Sequence, residues 1–565
     1  MVFVALALSL LLATSTVLGS PIARLHDPFP PTPKTPKGLL CNLPIPMVQK
    51  LLCPRQIANS DPAVITPLGT AHGVDDTANA VRFAVRYGTA ARWEPSSVVT
   101  SWQLPNGNTN ASSLPLACPQ DGIDEDAMSE DCLSLLLYVP TSISPGSDVP
   151  TMMWIHGGSF TQGSATFPGL DGSNFAAATG SIVAVIQYRL GALGLMAPNG
   201  NMNLAVQDVM TAMNFLQTVL PSFGGSPSKI TIAGQSSGAT MIRALLATPS
   251  ASSLFQSAIL QSDPMDYGFL SAATQQTLQT YFNGLLPCST TDVSCLNNIS
   301  IDDLLGFTDN LSNTALTLDQ SVGLGEPLRV VRDGSLITTP LDDTAPFPAV
   351  SKPIMVSNVK NEAGLSIYSD NAFPDSVAPT LYDEVVEGTF GDPDTSFVLA
   401  NPNYAIPPSA QNNANTDARP TLEKLGTDQI WRCPGWTFAR NWIGGGGNAY
   451  VGLYVVGASY PGNDAVSFCT ESGIVCHQDD IEIVFGTVPS PTSQQATLTA
   501  EMQARYKAFM NTGNPNVAGH ANWQLATASD VHALTLGGSG EVAAGGCDPS
   551  FFGDVVQYDY QKFDI

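Results

Sequence analysis

Positive charge is scarce in this chain. Lysine and arginine number 22 against 48 aspartates and glutamates over 565 residues, a formal net charge of −26. That imbalance argues against nucleic acid and against anionic membrane surfaces as partners, since both would repel it. Long apolar runs are scarce too: past the first nineteen residues, no segment has the roughly 18 uninterrupted apolar residues of a membrane span. Histidine occurs six times, so the search for a general base is short. No CxxC pair and no Cys/His cluster at ligand spacing occurs, which leaves nothing to suggest a metal. The phosphate-loop signature GxxxxGK[ST] is missing as well, and no cofactor is implied. Charged residues make up 12% and hydrophobic residues 44%, the balance of a well-buried globular body.

Three stretches follow from composition. Residues 1–19, MVFVALALSLLLATSTVLG, are apolar, short and end in small residues, which reads as a secretory signal without the usual basic residue. Residues 20–62 are rich in proline and should run extended. Residues 63–565 carry the pattern of one ordered domain, with no internal repeat and no dividing linker. Export agrees with ten cysteines, an even number suited to disulfides. Connectivity stays open from sequence, but four close pairs suggest local loops: Cys41 with Cys53, Cys118 with Cys132, Cys288 with Cys295, and Cys469 with Cys476. Cys433 and Cys547 remain for a long-range bridge. Asn110, Asn298 and Asn310 each begin an Asn-x-Ser sequon, expected in surface loops open to glycosylation.

Strand-like apolar runs occur at Leu133–Val139, Thr151–Ile155, Ile182–Tyr188, Ile230–Ala233, Ser257–Leu260, Pro353–Ser357 and Ala449–Val456. Between them, Val206, Val209, Met210, Met213, Leu216, Val219 and Leu220 recur at helical spacing and stop at Gly224-Gly225. A last amphipathic helix is expected over Ser493–Asn511, ended by Gly513 and Pro515. Strands alternating with helices imply a largely parallel sheet covered on both faces, an α/β fold.

The chemistry centres on Gly234-Gln-Ser-Ser-Gly238, which follows one such strand and precedes a small-residue helical segment. G-x-S-x-G in that setting is a nucleophile elbow, a sharp turn that lifts Ser236 above the sheet into solvent. The pentapeptide alone also occurs by chance, so the rest of the chain must supply partners. A serine hydroxyl needs a base oriented by a carboxylate, in the chain order Ser, acid, His. Only His477, His520 and His532 follow Ser236. His520 and His532 sit in polar surroundings, whereas His477 directly follows the Cys469 and Cys476 pair, whose loop would hold it. Glu362 ends a polar turn after the Pro353–Ser357 strand, at the carboxyl ends of the strands where functional groups gather in open α/β sheets; otherwise it is a solvated loop glutamate. Upstream, His156-Gly-Gly-Ser-Phe160 follows a strand and matches a glycine-rich oxyanion loop, with Gly158, Ser159 and Ser237 as main-chain donors.

These residues together resemble the type-B carboxylesterase/lipase family, whose members have the α/β-hydrolase fold, from about Val64 to the last helix. Matching stretches include Ser129-Glu-Asp-Cys-Leu133, Phe223 through Gly238, Ala258-Ile-Leu-Gln-Ser262, Lys360-Asn-Glu362, His477 through Gly486 and Thr512-Gly-Asn-Pro-Asn516. The resemblance implies a triad of Ser236, Glu362 and His477. It also implies the disulfides Cys118–Cys132, Cys288–Cys295 and Cys433–Cys547. The chain departs from the family at Gln235, usually glutamate; at Ser237, usually alanine; and at Ser159 and Ala363, usually glycine. Losing the carboxylate at 235 should weaken the imidazolium form of His477 and let activity persist to lower pH.

The expected substrate is a small-molecule neutral ester. The segment between Cys118 and Cys132 is too short and too polar for the amphipathic lid of lipases, and it has Gly122 where cholinesterases place a choline-binding tryptophan. Its six carboxylates (Asp121, Asp124, Glu125, Asp126, Glu130 and Asp131) should repel anions. A lipase or sterol esterase, and a non-catalytic adhesion or carrier relative, are the alternatives.

Overall fold

A computed structural model describes residues 62–565 apart from 77, 78, 324, 371, 412 and 414. The signal reading and the proline-rich segment up to residue 61 therefore lie outside the described residues. So do Cys41 and Cys53, and the disulfide expected between Cys41 and Cys53 is not among those the structure describes.

Ten strands form the central sheet: β1 (Val74–Asp75), β2 (Ala80–Arg86), β3 (Ser134–Pro140), β4 (Val149–Ile155), β5 (Ile182–Ile186), β6 (Gly225–Gln235), β7 (Ser257–Gln261), β8 (Pro353–Val359), β9 (Asn448–Tyr454) and β10 (Leu534–Leu536). Their spatial order is β10-β9-β8-β7-β6-β4-β5-β3-β2-β1. From β5 to β10 every pairing is parallel. The pairings β3/β5, β2/β3 and β1/β2 are antiparallel. The fold is the α/β-hydrolase arrangement expected, with an antiparallel end added to the parallel sheet. Each apolar run of the sequence became a strand, most with ends moved by one or two residues, while β6 begins at Gly225, five residues before the expected Ile230.

The sheet is buried on both faces, and the side chains show it by alternation. Met153 and Ile155 of β4, Ile230 and Ile232 of β6 and Ala258 and Leu260 of β7 enter one core. Met152 and Trp154, Ala233, and Ile259 enter the other. The helices that position the site are α1 (Ser173–Thr179), α2 (Leu204–Phe223), α3 (Ser237–Leu246), α4 (Ala272–Leu285), α5 (Ile301–Leu318), α6 (Cys433–Gly444) and α7 (Ser493–Thr512). Helices α2, α3 and α6 fill the first core and α1 and α7 the second.

The stripe read from sequence is the buried face of α2, with Met210 only partly covered. Burial of each such side chain stabilises by roughly 1.5–3 kcal/mol. Gly224 stops the helix in a left-handed cap at φ 89°. Helix α7 starts with a capping box between Thr492 and Gln495 and ends on Gly513 at φ 73°. It is not the last helix, because Asp559–Phe563 forms a short further turn. Among the described residues no helix is long and apolar enough to cross a membrane.

Candidate active site

The elbow forms where β6 ends between its parallel neighbours β4 and β7. Gly234 pairs with Ile155 and Gln235 with Gln261, so the chain leaves the sheet flanked by both. Ser236 then adopts φ 57° and ψ −131°, a conformation costly for any residue with a side chain, and α3 begins at the next residue. Its amide donates to Gln261 O at 2.9 Å, which anchors the turn to β7. The flanking glycines are needed for space. A Cβ on Gly238 would stand 2.2 Å from Ile155 O, and one on Gly234 2.7 Å from the same oxygen. Beneath the turn, buried Arg243 of α3 pairs with Asp263 after β7 at 3.0 Å. In one respect the site differs from the sequence reading: Ser236 is not lifted into open solvent but is only 8% exposed. The loop after β4 and the end of β7 pack against it.

The glycine-rich loop after β4 packs backbone to backbone against the elbow. A Cβ on Gly157 would lie 2.7 Å from Gln235 O and 3.0 Å from the Ser236 Cβ. The loop turns through positive φ at Gly158 (115°), Ser159 (53°) and Phe160 (60°). It is tied down on several sides. The Tyr188 hydroxyl donates to His156 O at 2.9 Å, and the Phe160 N–H donates to the Ser237 hydroxyl at 3.2 Å. That last contact gives Ser237, at the position where the resembled family usually has alanine, a side-chain task. The candidate oxyanion donors are thus the N–H groups of Gly158 and Ser159 and that of Ser237 at the start of α3. A helix N-terminus carries unpaired donors and a favourable dipole for developing negative charge.

Acid and base arrive from the next strands along. Glu362 follows β8, is fully buried, and its Oε1 accepts the Val359 N–H at 2.8 Å. Its Oε2 meets His477 Nδ1 at 2.6 Å. That contact fixes the proton on Nδ1 and leaves Nε2 as the lone-pair nitrogen. The two loops are held to each other by main-chain contacts, with Asn361 N donating to Val475 O at 2.9 Å. The Cys469–Cys476 disulfide closes directly before His477. Burial pulls the His477 pKa down, but the Glu362 hydrogen bond and charge, with Asp480 and Glu326 behind them, raise it above its ordinary value. Gln235 presents its Nε2 to His477 Nε2 at 3.0 Å, so the residue before the nucleophile does face the base.

Three residues that sequence reasoning did not place here complete the surroundings. Trp431, on a π-helical turn at Thr427–Arg432, sets its ring 5.5 Å from the imidazole. Such turns concentrate at functional sites. Asp480 is fully buried beyond Glu362 and is hydrogen-bonded by Gln261. Burial and the Glu362 charge push its pKa up to about 7. Glu326 is buried beside Ser159, and burial pushes it up to about 7 as well, with the Ser159 hydrogen bond opposing. None of the three shows a periodic signal. A lone acid in the run Gly-Leu-Gly-Glu326-Pro-Leu-Arg329 was the single available hint.

His520 and His532 are paired elsewhere, beside Glu501 and Glu541. The disulfides Cys118–Cys132, Cys288–Cys295, Cys433–Cys547 and Cys469–Cys476 are all formed. Asn110, Asn298 and Asn310 are exposed, but Asn310 stands within α5 and Asn298 caps a short helix, so neither is in a loop of its own. In the Cys118–Cys132 loop the negative field is weaker than expected. Glu130 pairs with Arg92 and Asp131 with Arg86. Asp121 hydrogen-bonds Asp309, whose pKa burial and that neighbour push up to about 6. Asp124, Glu125 and Asp126 remain exposed.

Comparison with known proteins identifies the family. The family model described as the carboxylesterase family matches residues 60–545. Carboxylesterase 1C of Rattus norvegicus is 26% identical over 472 residues, covering 76% of this chain and 80% of its own. The crystal protein of Dictyostelium discoideum is 27% identical over 412 residues, covering 69% and 70%. Among solved structures, a PNB esterase superposes with a TM-score of 0.67 at 21% identity, covering 84% of this chain and 96% of its own. With elbow, acid, base and donor loop converging at the carboxyl ends of β4, β6, β8 and β9, this chain belongs to the carboxylesterase family and is a carboxylic ester hydrolase.

Proposed function

We propose that the chain is a secreted serine esterase that hydrolyses small neutral carboxylic esters through an acyl-enzyme on Ser236. Ser236 Oγ attacks the ester carbonyl while His477 Nε2 takes its proton. The carbonyl oxygen becomes an oxyanion facing the N–H groups of Gly158, Ser159 and Ser237. Collapse of that intermediate releases the alcohol, which leaves with the proton from His477, and the acyl group stays on Ser236. Water then attacks in the same way, and carboxylic acid and free serine result. Glu362 holds the imidazole in one tautomer and stabilises its cation. The observation that carries this reading is the 2.6 Å Glu362–His477 contact beside a strained elbow serine. Export is supported by the disulfides together with the first nineteen residues.

Neutral substrates are supported by the exposed acids of the Cys118–Cys132 loop and by buried Glu326. The same loop, 14 residues from cysteine to cysteine, is short for a lipase lid. The test is a panel running from aryl acetates to long acylglycerols, with matched anionic esters. Short neutral esters should be hydrolysed fastest, without activation at an oil interface. Preference for emulsified long chains would favour the lipase or sterol esterase, and hydrolysis of nothing would favour the non-catalytic carrier.

Gln235 bears on pH. An amide can donate to neutral Nε2 and, rotated, accept from the protonated ring, whereas a carboxylate favours only the cation. Gln235→Glu should raise the His477 pKa and move the acidic limb of the kcat/KM profile up by about 1 unit, the low end for an opposite charge at close range. A limb that stays in place contradicts this role.

A further inference from the structure

The residues on either side of Glu362 are both tied to one buried acid. Glu423 stands on the helix Arg419–Gly426, which runs directly into the π-helical turn Thr427–Arg432. It is 6% exposed. Its Oε2 accepts from the Asn361 side-chain amide at 3.2 Å, and its Oε1 accepts from the Thr427 hydroxyl at 2.9 Å. The Thr427 oxygen in turn accepts the Ala363 N–H at 3.0 Å. Asn361 also reaches the loop that carries the base. Its N–H donates to Val475 O at 2.9 Å, and its Oδ1 accepts the Val475 N–H at 3.2 Å. Val475 lies two residues before His477, inside the loop closed by Cys469–Cys476. The mechanism above does not use Glu423.

We propose that Glu423 is a positioning residue for ester hydrolysis, which through Asn361 and Thr427 holds both neighbours of Glu362 and so fixes how that acid meets His477 Nδ1. The proposal rests on the serine-esterase reading. A carboxylate accepts hydrogen bonds and donates none, so Glu423 decides the polarity of both arms. Asn361 must turn its NH2 to Glu423, which leaves its carbonyl for the Val475 N–H. Thr427 must commit its one proton to Glu423, which leaves a lone pair for the Ala363 N–H. Burying a carboxylate is costly unless such donors compensate. Burial does push the Glu423 carboxyl up to about 7, with the Thr427 and Asn361 hydrogen bonds pulling the other way. Trp431, one turn beyond Thr427, sets its ring against the imidazole, so the clamp on the acid and the aromatic wall of the base belong to one helical stretch.

The test compares wild type, Glu423→Gln, Glu423→Leu, Thr427→Val and Glu362→Gln/Glu423→Leu on one short neutral ester, with thermal unfolding run in parallel. Glutamine can still accept from Asn361 and can donate to the Thr427 oxygen, which goes on accepting from Ala363. Its kcat should stay within a few-fold of wild type. Leucine removes both contacts, and kcat should fall by about ten- to a hundredfold with KM little changed, the scale of misplacing a catalytic group by an ångström. Thr427→Val keeps the shape and frees the Ala363 arm alone. It should lower kcat by several-fold, and it reads the proposal even where the leucine variant does not fold. In the Glu362→Gln background the leucine change should cost little more, because the acid it positions no longer acts. Undiminished kcat in both Glu423→Leu and Thr427→Val overturns the proposal. So does a loss confined to KM, or a full further loss in the Glu362→Gln background, which would make Glu423 a support of the fold alone. Wild type that hydrolyses no ester overturns the serine-esterase reading itself, a result distinct from these.

Discussion

Ser236→Ala should abolish ester hydrolysis, lowering kcat by about 10⁶ while leaving the fold intact, as removal of the nucleophile does when the triad acts as a unit. The geometry explains why no neighbour can substitute. Ser236 alone occupies the strained position at φ 57°, whereas Ser237 lies inside α3 with its hydroxyl held by the Phe160 N–H at 3.2 Å. Alanine fits the elbow, since Ser236 already carries a Cβ there and the crowding falls on Gly234 and Gly238. Unfolding temperature should therefore stay within a few degrees of wild type. Residual hydrolysis within tenfold of wild type, in a preparation free of contaminating esterase, would remove Ser236 from the mechanism.

Glu362→Gln carries the second-largest effect, a fall in kcat of about 10⁴, the scale seen when a triad acid becomes an amide. Glu362 accepts two kinds of donor at once, the Val359 N–H at 2.8 Å and the His477 Nδ1–H at 2.6 Å. A glutamine there must turn its NH2 toward one of them. If it faces the imidazole it donates to Nδ1, which moves the ring proton to Nε2, the nitrogen that must be free to take the serine proton. The charge that raises the His477 pKa disappears too. Asp480 lies close enough to raise the pKa of His477 but is hydrogen-bonded to Gln261, not to the imidazole, so it does not take over the orienting contact. Measuring kcat and KM separately checks the assignment. Loss in KM with kcat preserved would place Glu362 in substrate binding, not in orienting the base.

What could be read from sequence was what local sterics and chain order decide. A turn tight enough to bring Gly238 against Ile155 O admits no side chain at either flanking position, so the elbow announces itself in five residues. The donor loop likewise follows its strand immediately. Glu362 and His477 were singled out as acid and base because few candidates remained in the required order, not because anything local marked them. The unread parts depend on contacts across long sequence distances. Glu326 reaches Ser159 from 167 residues away, the difference of their positions, and Trp431 reaches His477 through a π-helical turn whose residues carry no period of their own. Helices α4 and α5 escaped because their buried faces are narrow. Only Thr274, Gln275, Leu278 and Phe282 of α4 are buried, and Thr and Gln do not register as an apolar stripe. The antiparallel end of the sheet was missed for a similar reason. Strand order is set by pairing across the sheet, and Ala80–Arg86 alternates too weakly to stand out.

The proposed mechanism requires that Ser236 become covalently acylated during turnover. Rapid acid quench of the protein with a slowly hydrolysed aryl ester, followed by proteolysis and mass spectrometry, reads this directly. One acyl group per chain is expected, on the peptide containing Gly234-Gln-Ser-Ser-Gly238 and localised to Ser236, appearing with a burst of alcohol and absent in Ser236→Ala. Hydrolysis that proceeds with no acylated peptide, or with the acyl group on another side chain, would contradict it.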